Sequence, residues 1–186
     1  MAFHEDSDIK IFNSSKADET ESEVLNLVES MDNDRKNGNF AKANKLGTTL
    51  ARLAVDEETK KELGAFLFED PDLYCQVGVL LLFSTEAALN YFLPSTQLST
   101  IAIMALHNAL CDVEDVWYKD VLESPAYSFY YLSIRKGTDN VPLAIGESFA
   151  MLCKHEGDEQ FITAGTNLYL SVLKEVEKDV QAADFQ

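Results

Sequence analysis

The chain has 186 residues, 46% hydrophobic and 25% charged, enough for one domain whose core needs no disulfide or metal staple. Its 32 acidic and 15 basic residues leave a net charge of −17. A chain of this sign lacks the basic stripe that releases counterions from a phosphate backbone and is repelled by anionic lipid, so nucleic acid and membranes are not expected partners.

The first residues, Met1-Ala-Phe-His-Glu-Asp6, show neither the basic start nor the apolar run of a secretory signal, and Ala2 excludes myristoylation. Residues 1–19 carry few apolar side chains and read as an acidic tail ahead of a single all-helical domain over 20–186. Thr20 and Glu23 form a capping box, and Val24, Leu27, Val28 and Met31 repeat on one helical face. Gly38 fits the C′ position that ends this helix. Asn39 is placed as the cap of a second helix with the stripe Phe40, Ala43, Leu46, Leu50, Leu53 and Ala54, and Asp56 as the start of a third, with Leu63, Phe66 and Leu67 facing inward.

Asp70-Pro71 is an N-cap followed by proline at the first helical position. The helix it opens, 71–93, is apolar around most of its circumference and is expected at the centre of the core. Glu86 is the only formal charge between Asp72 and Asp112. Pro94 and the polar run Ser95–Thr100 interrupt this stretch, which argues for two buried core helices rather than a membrane hairpin. Ser95 opens a long helix to about residue 121, and Leu81 and Leu106 are expected to be almost fully buried. Ser124-Pro125 starts a short aromatic helix ending at Gly137. A further helix runs from Val141 to His155, closed by Gly157, and Asp158 caps the last, which reaches about Val180.

The expected fold is therefore all-α: about eight helices in antiparallel hairpins, arranged as a helical-repeat-like stack or a compact bundle. Gly38-Asn-Phe-Ala-Lys-Ala43, with its glycine, polar and aromatic residues before a small residue at the helix crossing, resembles the turn of a tetratricopeptide hairpin. Glu156-Gly157-Asp158 resembles an inter-helix turn of the same kind. The resemblance covers roughly a quarter of the chain and implies a concave helical face that binds a peptide or protein.

Motifs that carry chemistry are sparse in this chain. Glu-x-x-His and His-Glu-x-x-His are absent around His4, His107 and His155, so neither a di-iron bundle nor a zincin site is expected, and no metal or cofactor is assigned. Cys75, Cys111 and Cys153 have no CxxC spacing and read as three reduced, buried thiols, which with the missing signal points to the cytoplasm. Gly146-Glu-Ser148-Phe-Ala150 lies inside a predicted helix, not on the strand-to-helix elbow that a nucleophilic serine requires. An acidic face of Asp112, Glu114, Asp115 and Asp120 puts two carboxylates one helical turn apart, but the second such pair needed for phosphate chemistry is missing. Trp117, Tyr127, Tyr130 and Tyr131, with His107, form a candidate pocket.

The leading expectation is a non-catalytic, cytoplasmic protein-binding module for a basic protein or peptide, either an adaptor or an acidic inhibitor covering a basic active face. The alternative is a helical enzyme or small-ligand binder using Trp117 and Tyr130 with His107 and Asp112/Asp115.

Overall fold

A computed structural model describes residues 14–55, 71–112, 121, 124–135 and 140–186. Seven helices are described: α1 (Ser14–Lys36), α2 (Asn39–Val55), α3 (Pro71–Phe92), α4 (Thr96–Cys111), α5 (Ala126–Arg135), α6 (Val141–Leu152) and α7 (Glu159–Ala183). Among the described residues there is no strand, and the fold is all-α. The helix expected from Asp56 lies outside the described residues.

Two compact units are present, Met1–Gly38 and Asn39–Gln186. In the first, α1 begins at Ser14, six residues ahead of the expected Thr20 cap, so Thr20 lies inside the helix. Gly38 closes the unit at φ +75°, a left-handed conformation in which it donates its N–H to the Arg35 carbonyl. The apolar stripe of α1 is solvent-facing, with Val24 and Val28 about half exposed.

The second unit is built around α3, which packs against α2, α4, α5, α6 and α7. Its apolar circumference explains this position, because a helix hydrophobic on all sides has no face to give to water. Val77, Leu80, Leu81, Leu82, Phe83 and Leu89 are all buried, as are Leu98 and Leu106 from α4. The buried hydroxyls of Ser84 and Thr85 donate to the carbonyls of Leu80 and Leu81 one turn back, which satisfies them without breaking the helix. Leu73–Phe92 is long and apolar enough to cross a membrane, yet 67% of its most apolar window is buried inside the fold, as in a core helix.

Close crossings fix the partners of the outer helices. A Cβ on Gly47 would overlap the Ala102 carbonyl, so the glycine lets α2 lie directly on α4. Gly146 does the same for α6 on α7, where a Cβ would overlap the Ile162 carbonyl and the Thr166 hydroxyl. Across this second crossing the Thr166 hydroxyl donates to the Pro142 carbonyl over 3.3 Å.

Capping behaves as local chemistry requires at three helix starts. Ser95 accepts from the Leu98 N–H at 3.3 Å, Asn140 from Leu143 at 3.3 Å, and Asp158 from Gln160 at 2.9 Å. Two helix ends differ from expectation. The helix opened at Ser95 ends at Cys111 with Asp112 as its C-cap, well short of residue 121. The helix from Val141 ends at Leu152, not His155. Lys154, at φ +63°, takes the left-handed C′ position, and His155 donates its N–H back to the Ala150 carbonyl at 2.8 Å. The expected glycine, Gly157, also has a positive φ but falls later, inside the turn to α7.

Candidate functional site

Phe83 of α3 is the hub of the aromatic group. Its ring lies 5.7 Å from Tyr127, 5.1 Å from Tyr130 and 5.3 Å from Tyr131, so three of the five sequence-predicted pocket residues converge on one side chain absent from that set. Their helical spacing on α5 gives them different environments. Tyr130 is fully buried, and its hydroxyl has no hydrogen-bond partner among the described residues. Burial, with a smaller contribution from Cys153, pushes its phenol well above the ordinary range. Tyr130 is thus a core residue. Tyr131 is 44% exposed; partial burial and the charge of Glu86 raise its pKa, while Arg135 opposes them.

Tyr131 opens onto a groove of about 630 Å³ that α3, α5, α6 and α7 line. Its floor includes Phe83, Ala87, Ile134, Val141, Tyr169 and Leu173, and Arg135 is its one charged lining residue. Tyr91 stands at its edge, 79% exposed.

His107 lies on α4. Its Nε2 lies 2.8 Å from Oε1 of Glu86, and this pair joins α4 to α3 through an otherwise apolar stretch. Glu86 is only 7% exposed, so the imidazole is what satisfies a buried carboxylate. The sequence carried a signal for this pair: one acid in an apolar stretch and one histidine on the next helix.

A second groove, of about 560 Å³, runs between α5 and α6 toward the turn before α7. Phe129, Leu132, Met151 and Ile162 supply its apolar surface, and Glu147 and Glu156 are its charged residues. The hydroxyls of Ser133 and Ser148 lie 2.7 Å apart, and with one proton each, one donates to its partner while the other donates to the carbonyl one turn back in its own helix, Phe129 or Ala144. Ser148 therefore sits mid-helix beside a second hydroxyl.

Of the remaining candidates, Trp117, Glu114, Asp115 and Asp120 lie outside the described residues. Asp112 is exposed at the end of α4. Among the described residues no group of three or more His, Cys, Asp or Glu side chains could hold a metal ion. The expectation of three buried thiols needs correction. Cys153 is buried, Cys75 is half-buried, and Cys111 is exposed because α4 ends there and turns it to solvent. Comparison with protein-family models, curated proteins and solved structures found no match to this chain.

Proposed function

We propose that this chain is a non-catalytic protein-binding module whose partner is basic. The observation that carries the reading is the pair of grooves flanking α5: both are concave but partly open to solvent, with exposed apolar side chains lining them. A catalytic pocket of this size more often encloses its substrate around a few convergent polar groups. The charge supports a basic partner. Nine of the 15 basic residues fall within residues 1–61, leaving Lys119, Arg135, Lys136, Lys154, Lys174 and Lys178 to offset acids spread throughout the rest. Such a surface attracts a basic protein before contact and speeds encounter. The tetratricopeptide-like turns at Gly38 and Gly157 belong to the same proposal, as the kind of hairpin that presents a helical binding face.

A second reading, a carrier of a small apolar ligand, is favoured by the aromatic groove at Tyr131 and Tyr169 and its single arginine. The two are separated by capturing partners from cell lysate at low salt and at about 0.5 M salt, where surface charges are screened within a few ångströms. The binding module predicts a basic protein whose association slows steeply with salt. An acidic partner, nucleic acid, or a salt-independent association rate overturns it.

A further inference from the structure

The groove between α5 and α6 combines exposed apolar side chains with exposed carboxylates. Three large apolar side chains stand exposed together along it, Phe129 at 43%, Leu132 at 54% and Met151 at 38%. Exposed apolar side chains gathered in a groove gain by being covered, as at a contact surface. Among the described residues, the charged side chains lining the same groove are both carboxylates, Glu147 on α6 and Glu156 in the following turn, and both are exposed. Arg135 and Lys154 belong to the adjoining segments, but neither lines it. The groove on the opposite side of α5 has the reverse character, with Arg135 as its charged lining residue.

We infer that the α5–α6 groove is the docking site for a basic amphipathic segment of the partner, its apolar residues seated on Phe129, Leu132 and Met151 and its lysines or arginines facing Glu147 and Glu156. A groove between two helices accepts such a segment as a helix, read through apolar anchors at i, i+3/i+4 and i+7. Methionine and leucine at the contact can repack around anchors of different shape. Charge excludes the competing occupants. A second copy would bring the same two carboxylates and a net charge of −17 against this one. Phosphate backbones and anionic lipid are repelled by the same groups. This inference rests on the binding-module reading above and localises it.

The test uses the full chain and three synthetic helical peptides: one with Leu/Phe anchors and Lys/Arg elsewhere, a second with the anchors changed to Ala, and a third with Glu in place of Lys/Arg. The first should bind saturably with Kd below about 100 µM and shift the Met151 methyl resonance, while the other two bind at least about tenfold more weakly. On the protein side, Leu132→Ala and the double change Glu147→Lys/Glu156→Lys should each weaken the first peptide by about tenfold. A control double reversal on α7, Glu159→Lys/Glu177→Lys, changes net charge equally and should have a much smaller effect. If the control weakens binding as much as the groove variant, a basic partner is still recognised but this groove is not the place. If the acidic peptide binds as well as the basic one, both readings fall. No saturable binding of the first peptide overturns the docking site, whatever partner the lysate yields.

Discussion

The side-chain amide of Asn39 pairs with both backbone groups of Gln186, donating from Nδ2 to the Gln186 oxygen over 2.6 Å and accepting from its N–H at Oδ1 over 3.2 Å. Asn39 is 1% exposed, and this clasp joins positions at opposite ends of the second unit. Lys42 adds a bond from its Nζ to the Asp184 carbonyl, so the start of α2 holds the segment after α7 at two points. Only an amide supplies one donor and one acceptor in this arrangement. Asn39→Ala should cost about 1–3 kcal/mol in denaturant unfolding, the range for a buried polar group losing its partner. In a double-mutant cycle that also removes residues 184–186, the two losses should fall short of additivity by at least about 0.5 kcal/mol. Full additivity would show that the clasp contributes nothing.

Three glycine-to-alanine changes should separate two reasons for using glycine. Gly47→Ala and Gly146→Ala each favour the helix intrinsically, yet each new methyl overlaps a neighbouring helix backbone, so we expect a net loss of about 2 kcal/mol or more. Around Gly38 nothing lies within 4 Å of the added Cβ, and only its positive φ resists the change. Gly38→Ala should cost about 1 kcal/mol. Thermal unfolding of the three variants checks the order, and a stabilised Gly47→Ala protein would mean that α2 and α4 cross at a greater distance.

At Lys154 the backbone asks for glycine and the sequence does not supply it. The left-handed conformation disfavours a side chain with a Cβ, and the carbonyls of Ala150 and Met151 are already capped by the His155 and Lys154 N–H groups. Lys154→Gly should therefore stabilise the protein by about 0.5–1 kcal/mol, despite the added freedom of the unfolded chain. His155, whose ring stacks on Phe161 with centroids 3.8 Å apart, should keep its place. A lower melting temperature for Lys154→Gly would contradict this account.

The cysteines should differ in reactivity. Exposed Cys111 should react quickly with a thiol reagent in the native protein, whereas Cys153, whose thiol burial pushes up to about 12, should react only on unfolding. The same burial links Cys153 to stability at alkaline pH. The native thiol stays protonated above pH 9, while the unfolded chain's thiol ionises near its ordinary value of 9.0, so the folded state is fully favoured below that pH and loses ground between there and about 12. Buried Tyr130, raised in the same direction, steepens the loss above its ordinary pKa of 10.0. Unfolding measured from pH 8 to pH 11 should show stability falling, with a shallower slope for Cys153→Ala. An unchanged slope in that variant would assign the loss to other groups.

What the sequence determines here is what can be decided within a turn or two of helix. Ser95 and Asp158 cap because a hydroxyl or carboxylate there reaches an N–H two or three residues on, and Gly38 ends a helix because its own φ is free. The central position of α3 is equally legible, since nearly every side it offers is apolar and must be covered. Relationships between distant segments are not legible in this way. That Glu86 finds His107, that Phe83 gathers three tyrosines and that Asn39 clasps Gln186 depend on which helix lies beside which. The packing of α2 on α4 is allowed by the missing side chain of Gly47, whose role no local pattern reveals. The groove between α5 and α6 has the same origin. Only the completed packing, with Tyr130 taking the buried position between them, leaves Phe129 and Leu132 both facing water.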